Sequence, residues 1–266
     1  METKNTQESG SWRKSEFVRW QDLFAPVEAF IVWLGLVSLS LAVVMAVNTR
    51  MGRSNSSVLN FLTTARKDFN SEQILLASVY LVVLFFLWRI MRRVSNEALV
   101  ARYRSIGWSA FLLALLGGIL LASGTIFMIE ELSRRAVVEF HSSPAERSLL
   151  PPSPANLPIA LLTIALIAPF VEELYFRGIL LSWLKRKMFT PLAALLSAAL
   201  FAGLHFRFVS HPGADGWLFT TTIGLVGLVN AVLALRTRSL WGPFAVHAGY
   251  NATLVSSVFW LPLLFK

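Results

Sequence analysis

Long apolar runs separated by short polar gaps make up most of this 266-residue chain. Crossing a bilayer takes about 20 residues of helix. Seven runs are long enough or nearly so: 25–47, 73–91, 107–129, 158–183, 191–208, 217–235 and 240–265. Each is continuously apolar, without the alternation of a transmembrane strand, which predicts helices rather than a barrel. The expected fold class is all-α, a polytopic transmembrane helix bundle of about seven spans. The first run is too long, and too far from Met1, for a cleaved signal peptide, and no small-residue cleavage site follows it. It reads as an anchor. The chain divides into a polar lead (1–24), a three-span scaffold (25–129), a hydrophilic link (130–157) and a four-span core (158–265). The link carries Pro151-Pro152-Ser153-Pro154, expected to be extended rather than helical.

Composition supports this class. Hydrophobic residues make up 55% of the chain and charged residues 15%, far from the balance of a soluble globule. The net charge of +9 raises the question of nucleic acid, but the basic residues sit in the short gaps rather than on one face of a folded domain. No nucleic-acid partner is expected; the bilayer is. With the N-terminus inside, the inner gaps carry fourteen Lys and Arg against nine outside, which predicts a cytoplasmic N-terminus for a multi-pass membrane protein. Cysteine is absent, so neither a disulfide framework nor thiolate chemistry is available. Asn55-Ser56-Ser57 fits the glycosylation tripeptide, a pattern common by chance.

The last four runs hold ionisable residues where they are costly to keep. A charge at the bilayer centre costs about 2.5 kcal/mol or more, so such groups usually face a protein interior and have a function. Glu172-Glu173-Leu174-Tyr175-Phe176-Arg177 lies in the fourth run, Phe201 to His205 in the fifth, and His247 to Asn251 in the last. On a helix, Glu173 and Arg177 are four apart and can pair, acid first as preferred. Glu172 is rotated by about 100° and has no partner on its own helix, the arrangement expected of a general base. The bland alternative is an ion pair that locks helix packing. The two histidines in neighbouring spans weigh against it, whereas His141 and His211 fall in polar segments and read as solvated. Asn251 shares a face with His247 and reads either as a helix–helix hydrogen bond or as an oxyanion donor. Gly224-x-x-Gly227 in the sixth run permits close helix approach.

Together, Glu172-Glu173-x-x-Phe176-Arg177-Gly178, Phe201-x-x-x-His205 and His247-x-x-x-Asn251 resemble the three signature motifs of the CAAX prenyl protease and bacteriocin-processing (ABI, CPBP) family. Arg236-Thr237-Arg238-Ser239-Leu240-Trp241 is similar to the segment preceding that family's last motif, with Arg238 where the family usually has glycine. The resemblance covers about residues 158–260 and does not reach the first three spans. It implies an intramembrane endopeptidase in which Glu172 and His205 activate a water, His247 and Asn251 stabilise the oxyanion, and Glu173 and Arg177 position the first group. The substrate it implies is a peptide or protein associated with the membrane or carrying a lipid.

Metal dependence is open at this level. Glu172, His205 and His247 would make a two-histidine, one-carboxylate zinc set with an open position; the glutamate–water mechanism, which requires no cofactor, is the favoured reading. His-Glu-x-x-His is absent, as are paired membrane aspartates (Asp22, Asp68 and Asp215 lie outside or at the edges of the runs) and a Gly-x-Ser-Gly for a serine–histidine dyad. The rival class is a non-enzymatic transporter or a scaffold or immunity factor with a polar core. The internal repeats and matched broken helices usual in transporters are not evident. One expectation is awkward: Glu172 and His247 lie about ten and seven residues from the inner boundary and His205 about fifteen, a mismatch of roughly 10 Å in depth.

Overall fold

The computed structural model describes residues 24–32, 35, 69–94, 99–135, 150–206 and 214–264. Most of the first apolar run, Asn55-Ser56-Ser57, His141, His211, Asp22 and Asp68 lie outside the described residues. Six of the seven apolar runs are helices whose ends agree with the sequence pattern to within about five residues: α1 (Phe69–Arg93), α2 (Trp108–Arg134), α3 (Pro154–Lys187), α4 (Thr190–Phe206), α5 (Ala214–Thr237) and α6 (Trp241–Leu264). The described residues form no strand, only a single bridge between Arg102 and Ser239. Gln73–Arg93, Trp108–Arg134, Pro154–Lys187 and Gly216–Thr237 are long and apolar enough to cross a membrane, and Thr190–His205 is a shorter apolar helix. Of the first run, residues 24–32 are helical, with Glu28 paired to Arg93 at 3.2 Å on the surface.

The proline-rich entry to α3 is extended only as far as Ser153 (φ −150°, ψ 160°). Pro154 then opens the helix, a position where its missing N–H costs nothing. The helix is not uniform. It widens to a π-helical register at Leu161–Ile167 and again at Leu174–Leu180, either side of the two glutamates. Such widenings are rare and are found most often at functional sites. Pro169 accounts for one consequence of the first. Ala168 N–H bonds Thr163 O five residues back, so the same register would take the Ile164 carbonyl to residue 169, which has no N–H to give. Asn251 Nδ2 of α6 supplies that bond instead, at 2.9 Å.

Helix α6 lies along α2. A Cβ on Gly118 would collide with the Val246 carbonyl, and one on Gly249 with the Leu115 carbonyl, so both glycines are needed for the two backbones to touch. Gly227 does the same between α5 and α4, where a Cβ would lie 3.2 Å from Ala198 Cα. This is the close approach the glycine pair predicts.

The start of α6 is pinned by the loop before α2. Leu240 N–H donates to Arg102 O (2.8 Å), Ser239 Oγ donates to Arg104 O, and Trp241 N–H donates to Ser239 Oγ (3.1 Å). Tyr103 stacks on Phe170 (4.2 Å) with Trp241 against its edge (5.1 Å). These contacts resolve the depth mismatch. Helix α3 runs on to Lys187 rather than stopping at Trp183, so Glu172 and His205 each lie fifteen residues from the adjoining helix ends, Lys187 and Thr190. Helix α6 starts inside the bundle, beside Phe170, so His247 six residues in reaches the same level.

Candidate functional site

Glu173 is the hub. It is fully buried on α3, and its Oε1 accepts from Arg177 Nη1 (3.1 Å), Asn230 Nδ2 of α5 (2.9 Å) and His247 Nδ1 of α6 (2.8 Å). Arg177, also fully buried, spends its second nitrogen on Gly227 O at 2.9 Å. Its guanidinium lies over the Phe201 ring at 4.6 Å and near Phe176 at 5.6 Å. One carboxylate thus ties three helices together. An ion pair this deep in a low-dielectric interior depends on added hydrogen bonds; here they converge on Glu173 Oε1 and Arg177 Nη2, while Glu173 Oε2 and Arg177 Nε have no hydrogen-bond partner among the described residues.

Glu172, one residue earlier, takes a different direction, as the 100° step per residue requires. Its Oε1 accepts from Tyr80 OH of α1 at 3.2 Å. Its Oε2 faces His247 Nε2 at 3.8 Å, too far for a direct hydrogen bond. His247 therefore stands between the two glutamates, bonded to one and facing the other. Because a carboxylate only accepts, the 2.8 Å contact puts a proton on Nδ1.

His205 is partly buried near the end of α4. Its Nδ1 lies 2.8 Å from Phe201 O, a carbonyl that can only accept, so Nδ1 carries the hydrogen and Nε2 of the neutral ring keeps the lone pair. Phe201 links the two histidines: its ring centroid lies 4.5 Å from that of His205 and 5.4 Å from that of His247. Asn251, one turn beyond His247, is committed through Nδ2 to Ile164 O, the helix–helix alternative of its two sequence readings, with the second amide hydrogen left over.

Of the six sequence candidates, the structure links four in series: Arg177 to Glu173, Glu173 to His247, and His247 facing Glu172. His205 joins them across the Phe201 ring, and Asn251 lies one turn away on α6. The triad Glu172, His205 and His247 is not gathered as zinc ligands: among the described residues, no three His, Cys, Asp or Glu side chains are placed to hold a metal ion.

Two polar partners escape the motif pattern. Asn230 is the one amide in an apolar helix, three residues after Gly227, and that isolation at membrane depth is the signal that marks it. Tyr80 carries no such signal, since its partner is 92 residues away and a tyrosine in an apolar helix is ordinary.

No curated protein and no solved structure matches this chain. Residues 154–253, which span α3, α4, α5 and the first half of α6 with every motif residue, match the family model described as type II CAAX prenyl endopeptidase, Rce1-like. This helical segment is similar to the Rce1-like, CAAX-protease family of endopeptidases.

Proposed function

We propose that this chain hydrolyses a peptide bond of a membrane-associated or lipid-bearing peptide, with Glu172 as the base that activates the attacking water. The observation that carries this reading is the contrast between the two adjacent glutamates. Glu173 is fully buried, with Arg177, Asn230 and His247 all donating to its Oε1, whereas Glu172 keeps a small exposed surface and turns Oε2 toward His247 Nε2 at 3.8 Å, without an arginine of its own. A base must meet water and take up a proton, which favours the carboxylate that reaches the surface of the site over the sealed one held ionised by a paired guanidinium.

In this reading, Glu172 removes a proton from water as its oxygen attacks the scissile carbonyl, and His205 orients that water through the Nε2 lone pair. His247, held at Nδ1 by Glu173, presents Nε2 toward the oxyanion. It donates there as an imidazolium whose charge the Glu173 carboxylate balances. The remaining Asn251 amide hydrogen is the second donor. Glu173 and Arg177 act by position, fixing His247 and the widened turn of α3. The proton on Glu172 passes to the leaving amine. No metal takes part, and none is needed to lower the barrier when a base and two donors are pre-placed.

The test is cleavage of an internally quenched farnesylated peptide ending in cysteine and three further residues, by purified full-length protein in liposomes. Glu172→Ala and His205→Ala should each lower kcat by about 10²-fold or more, the usual range for removal of an acid–base group. Their denaturation midpoints should stay close to wild type. A strong chelator should leave the wild-type rate unchanged. Wild-type turnover by Glu172→Ala would remove that residue from the mechanism, and loss of folding would return the site to a packing role.

A further inference from the structure

The three-span scaffold lies outside the matched segment, yet among its described residues Tyr80 reaches into the site. Tyr80 sits in the middle of α1, its ring packed against the buried core and its hydroxyl 3.2 Å from Glu172 Oε1. From this geometry we infer that Tyr80 is a positioning residue for Glu172, so that α1 completes the site formed by α3 to α6. The inference rests on the hydrolase reading above for its catalytic consequence, though not for the contact itself.

A glutamate side chain has three rotatable bonds, and an unanchored carboxylate loses near-attack geometry. Within α3, Glu172 has no such anchor: Arg177 serves Glu173, and His247 Nε2 is too far for a direct bond. The phenol supplies one. By donating to Oε1 it fixes which oxygen is tied down, and the carboxylate plane then aims Oε2 at the side where His247 stands. A tyrosine suits this task because its hydroxyl is the end of a rigid ring with two side-chain torsions, and its donor strengthens as the acceptor carries charge. The contact also explains why α1 must pack on α3 here. Thr163 Oγ1 donates to Gln73 O at 3.4 Å two turns earlier on the same face of α1, holding the two helices in register.

The matched control is Tyr103. It too makes a scaffold-to-α3 phenol bond, to Phe170 O at 2.7 Å, but no contact with Glu172. Tyr80→Phe in the full-length protein should lower kcat on the quenched farnesylated peptide about tenfold with KM within about twofold. Tyr103→Phe should keep wild-type kcat at a similar loss of thermal stability. Equal kcat losses in the two variants, or a Tyr80→Phe loss confined to KM, would overturn the assignment. If Glu172→Ala is inactive while Tyr80→Phe is fully active, only the role of Tyr80 falls.

A second readout needs no substrate and separates this inference from the hydrolase reading. Dicyclohexylcarbodiimide modifies carboxyls in apolar surroundings, and peptide mass spectrometry reports the extent at Glu172. Tyr80→Phe should label Glu172 several-fold faster than wild type, and Tyr103→Phe at the wild-type rate. Identical labelling in Tyr80→Phe and wild type would mean that the phenol does not hold the carboxylate, whatever the enzyme cleaves.

Discussion

Replacing Arg177 with methionine tests whether the charged hub is structural as well as chemical. The substitution keeps an apolar stem of similar reach and removes the guanidinium. Three losses follow from the geometry. The charge-assisted bond to Glu173 at 3.1 Å is worth about 1.5–3 kcal/mol. The desolvated stacking over Phe201 at 4.6 Å adds about 1–2 kcal/mol. The bond to Gly227 O adds little, because that carbonyl lies within a helix that already serves it. The sum is about 4 kcal/mol, in the 3–5 kcal/mol range found when one partner of a buried ion pair is removed. Much of that cost is the stranded Glu173 carboxylate, so adding Glu173→Gln to Arg177→Met should recover about 2 kcal/mol. Unfolding by dodecyl sulfate in mixed micelles, followed by the fluorescence of the chain's nine tryptophans, measures both variants. Arg177→Met within about 1 kcal/mol of wild type would refute the argument, as would a double variant less stable than the single one.

Other outcomes follow from single features of the packing. Gly118→Val forces a branched side chain into the Val246 carbonyl and should destabilise by about 3 kcal/mol, the upper end for overpacking, because backbone rather than a side chain must yield. The same denaturation assay checks it, and a loss below about 1 kcal/mol would mean that α2 and α6 are not in backbone contact. Arg238 holds φ at 51°, the left-handed region, in the turn before α6. Arg238→Gly should therefore stabilise by about 1 kcal/mol, and a destabilised variant would refute the strain argument. Asn251→Ala leaves the Ile164 carbonyl without its donor and should cost about 1 kcal/mol. The cost should shrink in a Pro169→Ala background, where the chain supplies an N–H of its own; strict additivity in that double-mutant cycle would sink the proline account.

The membrane class, the helix positions and the candidate residues were legible in the sequence because each rests on a local signal. Runs of about 20 apolar residues announce helices, and charged residues inside them announce a site, since the cost of burying charge selects against their being there idly. The Glu173–Arg177 pair could be read from a four-residue spacing alone, whereas the φ of 51° at Arg238, a conformation that favours glycine and strains an arginine, shows only in the folded turn. Which glutamate is held by the hub of donors and which is left outside it is only half local. Spacing assigns Arg177 to Glu173, but Asn230 and His247 come from helices 57 and 74 residues away. The depths of Glu172 and His247 were misjudged because a hydropathy boundary marks where apolar residues stop, not where α3 ends or how deep α6 begins.

Three things were decided by tertiary structure alone. Tyr80 meets Glu172 only because α1 packs against α3, a pairing that no periodicity within either helix encodes. Asn251 bonds Ile164 because a π-helical register and Pro169 leave a carbonyl without a donor, and register is a property of the folded helix. His247 stands between two carboxylates because glycines at 118 and 249 let α6 settle against α2 at backbone contact. The sequence determined which groups are too costly to bury without a function; the packing of six helices determined which of them touch, because contact depends on helix rotation and depth, and these are set by side chains far away in the chain.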